Sequence, residues 1–359
     1  MASEQDVLKA LQAVPGPDGK TPLPQSGALS GLTVKDGKVF VSITADPRRP
    51  AASEPVRAAA ETAIRRLPGV QRAIVSLTAS KAPAPSPRPQ PPRGIAIPGI
   101  SNIIAVASGK GGVGKSTCAV NVAIALAGLG WRVGILDADV YGPSLPRLLG
   151  LNTRPAAEGR TIQPLAAYGL KAMSIGFLVD EEEAMIWRGP MVMSAIQQLL
   201  RDVAWGELDC LIVDMPPGTG DAQLTLAQSV ALAGAVIVST PQDLALIDAR
   251  RGIAMFNKVA VPVLGIIENM SYFICPHCGG RTDIFAHGGA RHEAEKYGAP
   301  FLGEVPLDIA IREQSDSGRP VAAVDPDGAL AKAYRAIAEK VKAALEAGRA
   351  RAAPKITVE

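Results

Sequence analysis

The sequence is poor in cysteine, has almost no net charge and contains no long apolar run. Four cysteines in 359 residues make a poor disulfide framework. The 37 basic and 34 acidic side chains leave a net charge of +3, which gives no general electrostatic reason to bind nucleic acid. Residues 1–6 lack the basic and apolar segments of a secretory signal, and no window approaches the roughly 20 apolar residues of a membrane helix. We therefore expect a soluble, cytoplasmic protein that binds neither nucleic acid nor a membrane.

The length predicts about two domains, and residues 1–79 have the pattern of a small α+β domain. Apolar residues alternate on both sides of the turn dipeptide Asp36-Gly37, which indicates a β-hairpin. A second helix is expected from Ser53, whose side chain would cap it, to Leu67. Residues 80–98 are rich in proline and poor in bulky apolar residues, which is typical of an extended linker.

Residues 99–345 alternate apolar strands with helices. This alternation predicts an α/β domain with a doubly wound, mostly parallel sheet, in which ligands bind at the carboxyl ends of the strands. The last helix, expected from Leu330 to Leu345, has an apolar stripe that fits core packing better than membrane binding. Residues 346–359 are expected to form a flexible tail. The predicted strands are Ile103–Ala107, Val133–Leu136, Cys210–Val213, Ala235–Ser239, Val263–Ile267 and Phe301–Val305.

A glycine-rich segment follows the first of these strands and precedes a helix, which is the setting of a phosphate-binding loop (P-loop). Its backbone N–H groups would bind phosphates at the N-terminus of the helix. Lys115 would reach the β- and γ-phosphates of a nucleotide, and the Ser116 hydroxyl would bind Mg²⁺. The alternative is a glycine-rich turn that binds nothing. The nucleotide-binding residues predicted in this segment are Gly109, Lys110, Gly111, Gly112, Val113, Gly114, Lys115, Ser116 and Thr117.

Polar residues stand at the ends of three later strands, where they would face the phosphates. Asp137 and Asp139 follow the second strand, and one could organise the Mg²⁺ shell while the other orients the attacking water. Asp214 ends a buried-type strand and would hold Mg²⁺ directly or through water. Asn269 follows another strand, and its amide can both donate to and accept from a base. Each aspartate could instead cap a strand end, and the asparagine could cap a turn.

A cysteine pair, Cys275 and Cys278, lies on a polar, glycine-bearing loop. Two thiolates can bind one metal, but a closed zinc site or a cubane iron–sulfur cluster needs four ligands. His277, His287 and His292 could complete a zinc site within one chain. A redox pair is a further alternative, although such pairs usually begin a helix in a thioredoxin-like unit, which this sequence lacks. Two chains related by a two-fold axis could also supply four thiolates to one cluster.

The second lysine of the glycine-rich segment, Lys110, makes it resemble the deviant Walker A motif of the MinD/ParA class of ATPases. In that class the extra lysine reaches the partner's phosphates across a nucleotide-sandwich dimer. The resemblance therefore implies a homodimer with Lys110 and Lys115 as catalytic residues. It also implies that Asp139 positions the water, that Asp137 belongs to the outer shell of Mg²⁺ and that Asn269 reads the adenine edge.

Four longer motifs lie within roughly residues 100–321: Asp137–Ser144, Trp187–Met191, Asp214–Asp221 and Glu268–Gly279. Together they resemble the Mrp/ApbC iron–sulfur cluster carriers. The resemblance implies a slow ATPase that binds a labile [4Fe-4S] cluster through Cys275 and Cys278 at the dimer interface. Its implied partners are apo iron–sulfur proteins, which receive the cluster, and a cluster assembly scaffold.

Residues 1–79 resemble the iron–sulfur-assembly domain that the carriers often have at this position. Members of that domain family often carry a Thr-x-x-Cys-Pro element after the hairpin, whereas Ile43–Pro47 contains no cysteine. We therefore expect this domain to dock partners or regulate the carrier and not to bind a cluster itself.

Two other functions fit part of the sequence. A spatial-organisation ATPase, which partitions plasmids or positions division sites, would share the glycine-rich segment and the dimer. It would also need a basic DNA face or a membrane helix, and it would leave the cysteine pair unexplained. In a zinc-stabilised nucleotide switch, the cysteine pair would be structural.

Overall fold

The structure, a computed structural model, describes residues 4–17, 19–35, 38–45, 50–79, 94–179 and 189–352. The chain divides into two units, Met1–Pro89 and Gln90–Glu359. Several parts of the predicted organisation lie outside the described residues. They are Asp36-Gly37, Asp46 and Pro47, residues 80–93 of the expected linker, Trp187 and Arg188, and residues 353–359 of the expected tail.

The first unit is a three-stranded sheet with two helices. The first two strands pair antiparallel, as the hairpin pattern predicts, and the third pairs parallel with the second. Alternation along the second strand places Val39, Val41 and Ile43 in the core of the unit. The elements are α1 (Glu4–Leu11), β1 (Leu29–Lys35), β2 (Lys38–Ala45), α2 (Pro50–Arg65) and β3 (Arg72–Ala79).

The expectation that Ser53 caps α2 is wrong. The helix begins at Pro50, so Ser53 lies within it, buried, and its Oγ has no hydrogen-bond partner among the residues described. Proline is favourable in the first turn of a helix because its fixed φ suits the helix and its missing N–H would have had no partner there. The helix can therefore begin earlier than a serine cap would place it.

The second unit contains the remaining strands and helices. Its first part comprises β4 (Ile103–Ala107), α3 (Lys115–Gly128), β5 (Val133–Asp137), α4 (Leu145–Leu149), β6 (Ala157–Glu158), β7 (Thr161–Ile162), β8 (Leu165–Ala167), β9 (Leu170–Ser174) and α5 (Gly189–Arg201). Its middle part comprises β10 (Cys210–Asp214), α6 (Asp221–Ser229), β11 (Gly234–Ser239), α7 (Asp243–Lys258), β12 (Val263–Glu268), β13 (Phe273–Ile274) and β14 (Arg281–Thr282). Its last part comprises α8 (Gly289–Tyr297), β15 (Phe301–Glu304), α9 (Ile309–Asp316), α10 (Val321–Val324) and α11 (Ala329–Ala352).

The main sheet has the strand order β15-β12-β11-β4-β10-β5-β9-β8. Its neighbours pair in parallel except for β8, which runs antiparallel to β9 at one edge. Every residue of β4, β5 and β10 is buried, as expected of central parallel strands covered on both faces. The mostly parallel α/β fold predicted from the sequence is confirmed. The edge strand β8 and its neighbour β9 were not predicted.

Two separate sets of helices cover this sheet. Helices α3, α10 and α11 contact one another, while α5, α6, α7 and α8 form a second chain of neighbours. Tyr334, Ile337 and Val341 of α11 are fully buried, which agrees with a core-packing helix. This helix continues to Ala352, so residues 346–352 belong to it and not to a tail. Within the described residues, no helix has the length and apolar character needed to cross a membrane.

Candidate functional site

The P-loop connects β4 to α3, as the sequence predicts. Gly112 and Gly114 have φ values of +81° and +77°, a conformation that glycine adopts without strain. Gly109 approaches the backbone of Asp248 so closely that a Cβ there would collide with it. No side chain caps the N-terminus of α3, so the N–H groups of its first turn are available to an anion.

A cavity of about 270 Å³ lies in front of this loop. It contains most of the predicted P-loop residues together with Asp139, whereas Gly109, Val113, Asp137, Asp214 and Asn269 do not line it. The P-loop backbone and two lysines that line it, and its position beyond the carboxyl ends of the strands, fit the phosphates of a nucleotide. The lining residues are Ser108, Lys110, Gly111, Gly112, Gly114, Lys115, Ser116, Thr117, Asp139, Gly142, Ser144, Leu148 and Pro217.

The buried side chain of Lys115 connects the P-loop to the end of β10. Its Nζ lies 2.5 Å from Asp214 Oδ1 and 3.1 Å from Ser116 Oγ. Lys115 and Asp214 are both almost completely buried, with 6% and 1% of their surface exposed. A hydroxyl and a carboxylate next to a phosphate site are hard oxygen ligands of the kind Mg²⁺ prefers. Ser116 lines the cavity with such an oxygen, whereas the Asp214 carboxylate is paired with Lys115 and does not line it.

Asp137 is fully buried at the end of β5, paired in register with Asp214 on β10. Its oxygens accept hydrogen bonds from the N–H groups of Asp139, Ser144 and Leu145 at 3.0, 3.0 and 3.1 Å. These bonds hold the loop from β5 to the N-terminus of α4. Because α4 contributes Leu148 to the cavity wall, the Asp137 carboxylate fixes the shape of that wall.

Burial is the main cause that raises the pKa of Asp137, to about 7, and the neighbouring Asp214 carboxylate raises it further. Asp139 is the more accessible of the pair and lines the cavity. Burial also raises the pKa of Asp139, while the nearby Lys115 ammonium opposes this rise. The two aspartates therefore differ in position: Asp137 holds the loop together and Asp139 faces the cavity.

A hydroxyl that the sequence analysis missed completes the surroundings of Asp137. Ser174, at the end of β9, is fully buried and donates from Oγ to Asp137 Oδ2 at 3.1 Å. Its Oγ also accepts the N–H of Gly176 at 3.1 Å. The only available signal was a serine after a short apolar stretch, and that stretch had not been identified as a strand.

Asn269 follows β12 but does not line the cavity. Its Nδ2 donates to the carbonyl of Val113 at 2.8 Å, so its amide holds the P-loop. The preceding residue, Glu268, is fully buried and accepts three hydrogen bonds, from the Ser271 hydroxyl and from the N–H groups of Gly288 and Ala290. The sequence analysis gave Glu268 no role of its own. Its signal was a charged residue at the end of an otherwise apolar strand.

The cysteine pair lies on a small hairpin formed by β13 and β14. Cys275 N–H donates to the Gly280 carbonyl and Gly279 N–H donates to the Cys275 carbonyl, both at 2.9 Å. The backbone N–H groups of Cys278 and then His277 donate to the Cys275 sulfur and lower the pKa of its thiol. Cys278 is exposed and Cys275 half-buried, so both thiols are accessible on one turn.

The other two cysteines have a different environment. Cys118 and Cys210 are buried in the core, and burial raises the pKa of the Cys118 thiol to about 12. A thiol in such surroundings is inert as a nucleophile or ligand. Ligand chemistry at cysteine is therefore confined to the hairpin within the described part of the chain.

The described residues bring no third ligand to the hairpin, since they contain no cluster of three or more histidine, cysteine or acidic side chains able to hold a metal. His287 lies 3.2 Å from Glu304 instead. The zinc site that His277, His287 and His292 could complete within one chain is therefore not assembled in this structure. Two thiolates on an exposed turn remain, half the ligands of a closed site.

Comparisons with known proteins assign a separate family to each of the two units. Residues 99–342 match the ParA-type family described as NUBPL iron-transfer P-loop NTPase, and residues 4–77 match a family described as iron–sulfur cluster assembly protein. An iron–sulfur cluster carrier protein from Synechocystis sp. is 45% identical over 348 residues, covering 95% of this chain and 97% of the relative. The iron–sulfur cluster carrier protein of Escherichia coli K12 is 55% identical over 69% of this chain and 68% of the relative.

Solved structures give the same result. A nucleotide-binding protein from Archaeoglobus fulgidus, in complex with ADP, is 46% identical with a TM-score of 0.55, covering 61% of this chain and 87% of that chain. The cell division ATPase MinD of Pyrococcus furiosus shares the fold at 22% identity and a TM-score of 0.52, covering 68% and 99%. These similarities confirm the resemblance drawn from the motifs. The chain thus belongs to the NUBPL-type iron-transfer P-loop NTPases, the family of the iron–sulfur cluster carrier proteins, with an iron–sulfur cluster assembly domain preceding the NTPase domain.

Proposed function

We propose that this protein binds and hydrolyses ATP and carries a [4Fe-4S] cluster, which a homodimer holds between the thiolates of Cys275 and Cys278 from each chain. The observation that carries the proposal is the exposed thiol pair, which provides two ligands on a turn. A cubane needs four ligands, so a second copy of the chain would complete the site. The lowered pKa of the Cys275 thiol favours the thiolate, the form that binds iron.

The nucleotide site supports the ATPase part of the proposal. The N–H groups of the P-loop would bind the phosphates, Lys115 would neutralise their charge, and Lys110, which lines the cavity, would reach the partner's phosphates. Asp139 lines the same cavity and would orient the attacking water. We propose that Asn269 contacts the adenine edge.

Ser116 and Asp214 would hold Mg²⁺, with Asp137 in its outer shell. The ion supplies positive charge that stabilises the phosphates when it is bound. The similar protein from Archaeoglobus fulgidus has ADP bound, which supports a nucleotide in this cavity.

The cluster is cargo in this proposal, received from an assembly scaffold and delivered to apo-proteins. The names of two similar proteins, an iron–sulfur cluster transfer protein and an iron–sulfur cluster carrier protein, support a cluster that is cargo. We propose that residues 1–79 dock such partners, that residues 80–98 separate them from the NTPase domain at 99–345, and that ATP acts through the dimer conformation.

The metal content of the protein purified without oxygen tests the proposal. We expect about four iron and four sulfide ions per dimer, with no zinc. Cys275→Ala should lose the cluster because one of its two ligands per chain is missing, while nucleotide binding stays within about twofold. The matched control is His277→Ala, which changes the same turn but keeps both thiols and the backbone donors, and should retain the cluster.

Two results would contradict the proposal. One is stoichiometric zinc that survives reconstitution with iron and sulfide and is lost in His277→Ala. The other is a full cluster in Cys275→Ala.

A further inference from the structure

Glu268 is a fully buried carboxylate at the end of β12. A buried charge is costly unless hydrogen bonds compensate it. Oε1 accepts the Ser271 hydroxyl at 2.6 Å and the Gly288 N–H at 3.0 Å, and Oε2 accepts the Ala290 N–H at 2.7 Å. Gly288 and Ala290 form the N-terminus of α8, where the helix dipole also favours a negative charge.

These three donors lie at the two ends of one loop-and-hairpin segment, residues 271–290, which we call the excursion. Ser271 belongs to the segment that leaves β12, and Gly288 and Ala290 belong to the segment that returns into α8. The cysteine hairpin lies between them. The Glu268 carboxylate therefore joins the two ends of the excursion and offsets part of the entropy cost of closing it. The first end is also held by two backbone hydrogen bonds, from Ser271 N–H to the Val305 carbonyl and from Leu307 N–H to the Tyr272 carbonyl.

The next residue, Asn269, contacts the P-loop. Its Nδ2 donates to the Val113 carbonyl, and the space around it is so limited that a Cβ on Gly114 would collide with the same nitrogen. Its backbone N–H donates to the Ser239 carbonyl at the end of β11 at 2.8 Å. Adjacent residues of one strand end thus hold the P-loop and the cysteine excursion.

Helix α8 has a second anchor that does not involve Glu268. Arg250 of α7 forms two hydrogen bonds of 2.6 Å with the carboxylate of Glu293, which is 3% exposed. Loss of the Glu268 carboxylate should therefore loosen the link between the two ends of the excursion without detaching α8 from α7.

We propose that Glu268 is a positioning residue that holds the Cys275 and Cys278 hairpin in a fixed relation to the P-loop, so that nucleotide in the loop changes the reactivity of both thiols. Nucleotide at the P-loop acts on the Val113 segment, Asn269 moves with that segment, and Glu268 passes the shift to Ser271 and to the start of α8. In its link to the cluster, this inference rests on the proposed function, which makes those thiols the cluster ligands.

The test measures thiol reactivity in the full-length, iron-free, reduced protein. Cys118 and Cys210 are buried, so a small thiol reagent reacts first with the hairpin. We expect saturating Mg-ADP, or a non-hydrolysable ATP analogue, to change the reaction rate of the hairpin thiols by about threefold or more. In Glu268→Gln this ratio should fall to about one, because the amide cannot accept all the donors around it, while nucleotide affinity stays within about twofold.

Two further variants separate positioning from general destabilisation. Glu293→Gln also removes a buried carboxylate contact of α8, but it leaves the base of the excursion intact and should keep the nucleotide-dependent ratio. Ser271→Ala removes one of the three bonds to Glu268 and should reduce the ratio even if Glu268→Gln does not fold. The inference is overturned if the wild-type rate does not respond to nucleotide, or if Ser271→Ala and Glu268→Gln respond like the wild type.

Iron and sulfide content, measured separately, distinguishes the two proposals. A wild-type protein that shows the nucleotide-dependent thiol rate but holds no cluster would refute the carrier function and leave the coupling intact. A protein that holds the cluster but shows no coupling would refute only the role of Glu268.

Discussion

Two glycines of the P-loop offer a matched pair of substitutions. Gly112 and Gly114 have φ values of +81° and +77°, so alanine at either position takes a left-handed conformation. A Cβ at Gly112 meets nothing within 4 Å, whereas a Cβ at Gly114 collides with Nδ2 of Asn269. The two variants therefore share the backbone strain and differ only in the collision.

The difference in unfolding free energy between the two variants can be estimated from the structure. Left-handed backbone costs an alanine about 1–2 kcal/mol at either site. Gly114→Ala must also displace Asn269 and break its buried hydrogen bond to Val113, which adds about 1–3 kcal/mol because both groups are left unsatisfied. For a domain of this size about 1 kcal/mol lowers the unfolding midpoint by about 2–4 °C. Gly114→Ala should thus unfold about 2–12 °C below Gly112→Ala.

Thermal unfolding of the full-length variants without nucleotide measures this difference. The double variant Gly114→Ala with Asn269→Ala removes the colliding nitrogen, so its second substitution should cost less than Asn269→Ala costs in the wild type. Equal midpoints for Gly112→Ala and Gly114→Ala would refute the reasoning, and so would strictly additive effects in the double variant.

Two further predictions concern the aspartates beside the cavity. The pKa of Asp137 is raised from 3.8 to about 7, so between those values the folded protein keeps a proton that the unfolded chain loses. Stability should therefore fall as pH rises through this window, and Asp137→Asn should flatten the slope of unfolding midpoint against pH; an unchanged slope would contradict the assignment. Asp139→Asn should lower ATP turnover by about 10²-fold or more, with nucleotide affinity within about twofold, as measured by phosphate release and titration. Turnover close to that of the wild type would remove Asp139 from the reaction.

The central strands and the P-loop were predictable because their signals are local. Five buried residues in β4 read as one apolar run, and the glycines with Lys115 follow at once. Asp214 could be placed at the carboxyl ends of the parallel strands because it ends the apolar strand β10. In each case residues that are adjacent in the sequence determine the local structure.

The missed features depend on distant partners. The role of Glu268 arises from donors 20 and 22 residues further along the chain, which no local pattern reveals. Strand β8 is only partly buried at the edge of the sheet, and its three residues, Leu-Ala-Ala, are too few to form a recognisable strand pattern. Ser53 has a favourable cap residue type, but Pro50 begins the helix before it. Where tertiary contacts or a neighbouring residue override a local preference, the local sequence pattern predicts the wrong role, strand or helix start.

The position of β4 between β10 and β11 has a consequence for biosynthesis. On the ribosome the first unit is complete once β3 is made, because its strands are close in sequence. The apolar strand β4 instead waits for both partners until the chain reaches Ser239, roughly 130 residues later. At about 5–20 residues per second this takes roughly 7–26 s, during which at least one side of this apolar strand is unpaired and exposed to aggregation. Nascent chains paused before residue 239 should therefore need a chaperone more than chains paused after it.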